Sequence, residues 1–313
     1  MDLINKKSFQ ERFSHTDNKF AVAFSGGGDS TALLYWLIQN FGLANIYAVH
    51  FNHNLRQESD VEQSKLENFC DDLGVTFITE KWQSKPEGNI QQSARIARYK
   101  FLKNMCDKHD FSCVYTGHNK DDIAETFLMR LARGSGIKGL TAMAEITNIE
   151  GVDICRPLLS IGREEIREYL IKNNITWLDD PSNENDKFFR VRVRKHKKAL
   201  EEIGIPFDSI VASSFSLQRA ESLIESIASK YYQENITQKD GCLTCADNLL
   251  KEEDELILRM VDKLIASLTG EKMMPRTTKK QRLINHLKTS DKRYELGGVC
   301  FYKNKNYIFA KKV

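Results

Sequence analysis

One stretch constrains this chain more than any other: Phe20-Ala-Val-Ala-Phe-Ser-Gly-Gly-Gly-Asp-Ser-Thr-Ala-Leu-Leu-Tyr-Trp-Leu37. Its opening, Phe20–Phe24, is an apolar, β-prone run of the length of a fully buried strand. Ser25, Gly26, Gly27 and Gly28 follow, then Asp29 and Ser30. Beyond them Leu33, Leu34, Leu37 and Ile38 fall on one helical stripe. A buried strand, a glycine turn and a helix N-terminus together build an anion site. Glycine lets the backbone come close to a ligand, and the first helical turn leaves its N–H groups free to point at it. Ser25, Ser30 and Thr31 add hydroxyl donors, and phosphate is the guest such donors suit. The plain alternative is a glycine-rich turn that binds nothing, which leaves Asp29 and Ser30 at their fixed offsets without a role.

The turn is not a Walker A loop, because no Gly-Lys-Ser/Thr closes it. It also misses the dinucleotide fingerprint, which needs a further glycine two residues on. Ser-Gly-Gly-x-Asp-Ser after a strand instead resembles the PP-loop of ATP pyrophosphatases. That resemblance implies ATP cleaved between its α- and β-phosphates, with pyrophosphate held on the loop.

Further along, strand candidates alternate with helices. Ile46–Phe51, Val75–Thr79, Cys113–Thr116 and Asp153–Pro157 read as strands. Helices fit Ser59–Leu73, 89–108, the segment after Asp121 and Ser160–Asn174. This alternation predicts an α/β fold with a doubly wound parallel sheet. Ligands in such sheets sit beyond the carboxyl ends of the strands. Three polar clusters fall there: Ser25–Ser30, His50–Arg56 and Gly117–Asp122. The remainder mixes helices (Glu252–Thr269, Thr277–Lys288) with a final hairpin-like stretch at Tyr294–Leu296, Val299–Tyr302 and Tyr307–Ala310. We therefore expect a catalytic domain over 1–200, a helical connector over 201–230 and a smaller, mostly helical substrate-binding domain over 231–313.

Composition narrows the class. A chain of 313 residues with 41% hydrophobic residues is long enough for a sizeable core, and a formal charge of +3 does not by itself announce a nucleic-acid binder. Any polyanion site must come from local clustering. The seven cysteines are scattered; only Cys242 and Cys245 are close, with no second pair to complete a zinc site. The expectation is reduced thiols in a soluble, cytoplasmic protein, with no signal peptide or membrane span.

Five collinear stretches then resemble the tRNA(Ile)-lysidine synthase family. They are Ser25–Ser30; His50-Phe-Asn-His-Asn-Leu-Arg56; Ala94-Arg-Ile-Ala-Arg-Tyr99; Gly117–Thr126 with Arg130–Gly136; and Arg156-Pro-Leu-Leu159 with Asp180-Pro-Ser-Asn183. The PP-loop alone would be shared with several ligases; the second and fourth motifs are far narrower. The resemblance implies an ATP- and Mg²⁺-dependent ligase. It would join L-lysine to C2 of the wobble cytidine of an isoleucine tRNA with a CAU anticodon, through an adenylated cytidine, releasing AMP and pyrophosphate. Two departures stand out. Val191 occupies a position where the family usually has Asn, and longer members carry a further carboxy-terminal domain that this chain lacks or has had removed. The nearest enzymatic alternative is another PP-loop tRNA modifier such as a cytidine thiolase; a non-catalytic nucleotide-binding module is the alternative of another class. The oligomeric state is open, a homodimer included.

On this reading Ser25, Gly26, Gly27, Gly28, Asp29, Ser30 and His118 hold the nucleotide, and Asp29 is the candidate Mg²⁺ ligand. Without a metal Asp29 would be a first-turn carboxylate favoured by the helix dipole. Asp121, Asp122 and Glu125 open the helix after the fourth strand, with Asp122 and Glu125 on one face. Such a pair could hold the ε-ammonium of substrate lysine and help remove its proton. The residues alone do not separate this from a capping cluster; the resemblance favours Asp122, with Glu125 beside it. Arg98, or Arg95 one turn away, would stabilise phosphate or the cytosine O2, the alternative being a solvated helix face. His50 and His53 read as strand-end residues. Lys187 to Lys198 carries seven basic residues and no acidic one, so Arg190, Arg192 and Arg194 could fork onto tRNA phosphates. Its alternation could equally mark an edge strand or a solvated helix start. Arg276, Lys279, Lys280, Arg282 and the terminal lysines add positive charge near the carboxyl end.

Overall fold

The computed structural model describes residues 3–13, 19–54, 59–83, 90–178, 189–270 and 274–313. Its first unit, Met1–Ser216, begins α1 (Lys6–Phe13), β1 (Phe20–Ala23), α2 (Gly28–Phe41), β2 (Ile46–Asn52), α3 (Ser59–Leu73) and β3 (Thr76–Lys81). It continues α4 (Ile90–His109), β4 (Val114–Tyr115), α5 (Lys120–Leu131), α6 (Ile137–Leu140), β5 (Ile146–Ile149) and β6 (Val152–Cys155). Three helices follow, α7 (Arg163–Lys172), α8 (Phe189–Lys195) and α9 (Lys197–Glu202), before the long α10 (Phe207–Asn235), inside which the unit boundary falls.

The sheet order is β3-β2-β1-β4-β6-β5. The first five strands are parallel, and β5 pairs antiparallel with β6 at the edge. The period of two along β1 explains the layers. Phe20, Val22 and Phe24 enter a core with Phe9 of α1, Leu33, Trp36 and Leu37 of α2, Leu66 of α3 and Ile166 and Leu170 of α7. Ala21 faces the other way, with Val49 of β2 and Tyr99, Phe101 and Leu102 of α4. Helices thus cover both faces, as a parallel sheet requires.

Strand β5 is the strand of this unit that the sequence reading lacks, as it lacks helices α1 and α6. It is a polar edge segment, Ile-Thr-Asn-Ile, whose hairpin to β6 turns on Glu150 (φ 52°) and Gly151 (φ 83°). Two successive positive φ angles suit a tight hairpin loop.

The second unit, Leu217–Val313, adds β7 (Thr237–Lys239), β8 (Cys242–Ala246), α11 (Asp254–Thr269), α12 (Thr277–Thr289), β9 (Tyr294–Leu296), β10 (Val299–Asn304) and β11 (Tyr307–Lys312). Its antiparallel sheet, β7-β8-β11-β10-β9, buries Leu243, Phe301 and Ile308 in one core with Met260 and Ile265 of α11 and Leu283 and Ile284 of α12. The last three strands match the expected hairpin stretch; β7 and β8 were not anticipated. Their turn, Asp240-Gly241, is a strong hairpin signal, but β7 is wholly exposed and offers no apolar alternation.

Strand β1 lies between β2 and β4, so the strand order reverses at the β1/β4 boundary and opens a crevice beyond their carboxyl ends. Gly117, just after β4, sets how tightly that crevice closes. A Cβ there would lie 2.8 Å from the Asp29 carbonyl carbon and 2.9 Å from the Ser30 nitrogen. Only glycine lets the two loops touch. Gly117→Ala is expected to lower unfolding stability by about 1–3 kcal/mol, read from the urea midpoint at constant m-value.

Candidate active site

The glycine loop is shaped by its own hydroxyls. Gly26 has φ 76° and stands where a Cβ would strike Leu66 at 2.6 Å. The Leu178 N–H donates to the Gly26 carbonyl at 2.9 Å, and the Thr31 hydroxyl donates to the same oxygen at 3.1 Å. Ser30 Oγ donates to the Gly27 carbonyl at 3.0 Å and lies 3.2 Å from Ser25 Oγ. Gly27 caps α2 with no side-chain bond, so the first-turn N–H groups face outward as an anion site.

A cavity of about 370 Å³ opens beside this loop. Ser25, Asp29 and Ser30 form one wall, His50 and His53 a second, Arg98 and Tyr99 a third, and Thr116, Gly117 and His118 a fourth. Its size falls within the range of small-molecule sites. Arg98 faces it with a buried Nε that has no hydrogen-bond partner among the described residues. Arg95 is exposed outside it, its guanidinium over the Tyr99 ring; of the two arginines, Arg98 is the one that reaches the site. Burial, helped by Arg156, Arg190 and Arg98 and opposed by Asp122, lowers the His118 pKa to about 4. The ring is therefore neutral at physiological pH, with Nδ1 2.8 Å from Thr116 Oγ1. Burial also lowers the His50 pKa, against the opposing effect of the Phe24 carbonyl; that carbonyl accepts from the Nδ1–H at 3.0 Å, which is a strand-end role. Arg56 lies outside the described residues.

The acidic residues stand behind that cavity and divide by role. Asp121 is structural: one oxygen accepts the Arg163 N–H at 2.8 Å and the other accepts Lys197 Nζ at 2.9 Å. Asp122 forms a capping box with Asn119 at the start of α5 through one oxygen. Its other oxygen is 3.3 Å from Arg163 and 3.8 Å from Arg190. Glu125 is fully buried, and three guanidinium groups surround it: Arg163 at 2.8 Å, Arg194 at 3.0 Å and Arg190 at 3.5 Å. A buried carboxylate needs such pairing. The capping reading is realised at one oxygen of Asp122, while its other oxygen and Glu125 are engaged by guanidinium groups.

Of the two structural alternatives for the basic run, the helix is the one found: residues 189–195 form α8, not an edge strand. Arg190 and Arg194 turn inward onto Asp122 and Glu125, while Arg192 is exposed, its guanidinium over the Phe189 ring. In the second unit Lys280 is buried against Asp262 at 2.7 Å, so it does not present its charge to a polyanion. Lys187 and Asp180–Asn183 lie outside the described residues.

Arg163 escaped the sequence reading entirely. It contacts Glu125, Asp122 and, at 3.7 Å, Asp29. Burial works against its charge, but Glu125, Asp122 and Asp29 outweigh it and raise its pKa. A signal existed: Arg163 opens a helix, where the dipole disfavours a cation, so some external anion had to hold it.

A family model for the PP-loop domain matches residues 1–199. Among curated relatives, a tRNA(Ile)-lysidine synthase of Ruegeria pomeroyi is 31% identical over 310 residues, covering 95% of this chain and 71% of the relative. The chain belongs to the tRNA(Ile)-lysidine synthase family. The Orientia tsutsugamushi synthase is 39% identical over 186 residues, covering 58% of this chain and 42% of its own length, and that of Wolbachia pipientis is 38% identical over 210 residues, covering 65% and 48%. The chain thus spans about half the length of several curated family members it matches. Among solved structures, a U34-tRNA thiolase from Methanococcus maripaludis aligns with TM-score 0.55 at 21% identity, covering 68% of this chain and 76% of the thiolase. That likeness is one of fold.

The Asp29 carboxyl gives this family site a measurable titration. Burial, opposed by Arg163 and reinforced by Asp122, raises its pKa from 3.8 to about 6. The folded state therefore prefers the protonated acid; that preference is fully present below pH 4 and lost as pH rises through 6. Asp29→Asn, neutral throughout, should gain stability over the wild type across that window, by about 2 kcal/mol at pH 7.5 after allowance for solvent screening. Thermal unfolding of the ligand-free proteins at pH 4, 6 and 7.5 checks the sign. A difference that does not vary with pH would refute the raised pKa.

Proposed function

We propose that this chain joins L-lysine to C2 of the wobble cytidine of an isoleucine tRNA with a CAU anticodon, using ATP and releasing AMP and pyrophosphate. The observation that carries the reading is the crevice where the glycine loop, Arg98 and neutral His118 meet, with Asp122 and Glu125 directly behind Arg163. The family relatives supply the reaction; the residues supply a physical route to it.

Cytosine O2 is a poor leaving group, so an amine cannot displace it directly. Attack of O2 on the α-phosphate of ATP breaks the bond to pyrophosphate and leaves O2 adenylated. The lysine ε-nitrogen then bonds to C2, AMP leaves with the former O2, and the nitrogen gives up its proton. The α2 N-terminus, the loop hydroxyls and Gly26–Gly28 would receive the triphosphate where negative charge builds. Mg²⁺ would neutralise departing phosphates; Asp29 fits its habit of taking one or two protein carboxylates and completing its shell from substrate phosphate and water. Arg98, unpartnered at Nε and facing the cavity, would meet the phosphate or the cytosine O2. Asp122 and Glu125 would orient the ε-ammonium and help remove its proton.

A cytidine must leave the anticodon stack to reach this crevice, which costs a few kcal/mol that phosphate contacts can offset. Exposed Arg192 and, in the second unit, exposed Arg276, Lys279 and Arg282 are the residues we assign to such contacts. A cytoplasmic setting follows from the tRNA substrate; no helix among the described residues is long and apolar enough to cross a membrane. The thiolase alternative gains no support from the chain, since the described residues contain no group of three His, Cys, Asp or Glu side chains able to hold a metal.

The test is incubation with ATP, Mg²⁺, labelled lysine and unmodified isoleucine tRNA with a CAU anticodon. We expect label in the tRNA together with AMP; sulfur-dependent modification, or ATP binding without pyrophosphate release, would refute the proposal. Asp122→Asn should bind ATP within about twofold of wild type yet lose lysine transfer by roughly 10²-fold or more. Wild-type transfer in that variant would remove Asp122 from the reaction.

A further inference from the structure

Each carboxylate that could hold the substrate ammonium is already engaged by a cationic side chain. Glu125 has three, Asp122 has Arg163 at 3.3 Å and Arg190 at 3.8 Å, and Asp121 is taken by Lys197 and a backbone N–H. An incoming amine can be seated only where one of those cations gives up its position. The three arginines are not equivalent. Arg190 and Arg194 lie on α8, and among the described residues their ion pairs reach Asp122 and Glu125. Arg163 pairs with both and also reaches the nucleotide loop, at Asp29.

We propose that Arg163 is a positioning residue that couples the nucleotide loop to the lysine-binding carboxylates. The inference rests on the lysine-ligase reading above and extends it to the order in which the half-sites fill. Arg163 lies across Asp122 and Glu125 and competes with any ammonium for the same oxygens. A polyphosphate at the α2 N-terminus offers the guanidinium a stronger anion on the Asp29 side. Glu125 keeps Arg190 and Arg194 when Arg163 shifts, so the buried charge is not left bare. Asp122 Oδ1 then loses its nearer cation, keeps Arg190 at 3.8 Å, and can accept the ε-ammonium. The amine is thereby admitted to a site whose nucleotide is in place, and binding of either ligand must favour the other by the same factor.

The test is lysine binding to the full 313-residue chain by calorimetry, with and without the α,β-methylene analogue of ATP plus Mg²⁺, so that no turnover is needed. In the wild type we expect the analogue to tighten lysine binding about fivefold or more. In Arg163→Lys, which keeps the charge but lacks the fork that spans three carboxylates, the factor should fall below about twofold. Arg163→Gln should bind lysine without any nucleotide dependence; should it not fold, the Lys variant decides alone. A residue with a merely structural role would weaken both ligands while leaving the coupling factor intact. Lysine binding that does not respond to nucleotide in the wild type, or an unchanged factor in Arg163→Lys, overturns the inference alone. Absence of lysine binding under both conditions overturns the ligase reading and the inference together.

Discussion

The contact between Gly117 and the first turn of α2 holds the catalytic half of this protein together. Parallel strands leave their carboxyl ends free, and a crevice forms only if the loops that follow them approach one another. Here the approach is backbone on backbone, close enough that a single methyl group would collide with the Asp29 carbonyl. Because interiors are packed without slack, such a contact fixes both loops at once. The anion-binding N–H groups of α2 and the polar start of α5 are thereby set at a constant separation.

Behind that contact the electrostatics are crowded. Four carboxylates, Asp29, Asp121, Asp122 and Glu125, share space with Arg163, Arg190, Arg194 and Lys197. Glu125 has no solvent exposure, so its charge depends on protein partners. An arrangement of this kind is weak evidence for stability, since desolvation can offset the attraction. It is better understood as a preorganised field, and on the proposed function its cations stand where a substrate ammonium would compete. The raised pKa of Asp29 and the lowered pKa of His118 belong to the same crowding.

Much of this was legible in the sequence, and the failures have identifiable causes. The glycine loop, the parallel sheet and the convergence of loops after β1 and β4 all follow from periodicity and turn chemistry, which are local. Asp122 and Glu125 were found because three positions on a helix share a face. Arg163 was missed because its importance is non-local; α6, β5 and β6 separate it from the α5 acids it serves, and it is defined by three carboxylates from two other helices. Arg190 and Arg194 were expected on tRNA phosphates, and nothing in the sequence signalled their ion pairs to Asp122 and Glu125, since a run of basic residues does not say which of them turn inward. Strands β5 and β7 were lost because exposed edge strands carry almost no apolar alternation.

The hydrogen bond from the Leu178 N–H to the Gly26 carbonyl has a bearing on how this protein comes into being. The glycine motif is near the amino end, but its floor is completed by a segment that follows α7 far down the chain. Such a loop has high contact order, and its closure entropy must be met before the contact exists to reward it. The nucleotide cradle is therefore a late structure, absent from any partly folded chain that still lacks α7. Nucleotide affinity then serves as a report on completed folding, and a nascent chain displaying the full glycine motif has no cradle until synthesis has passed Leu178.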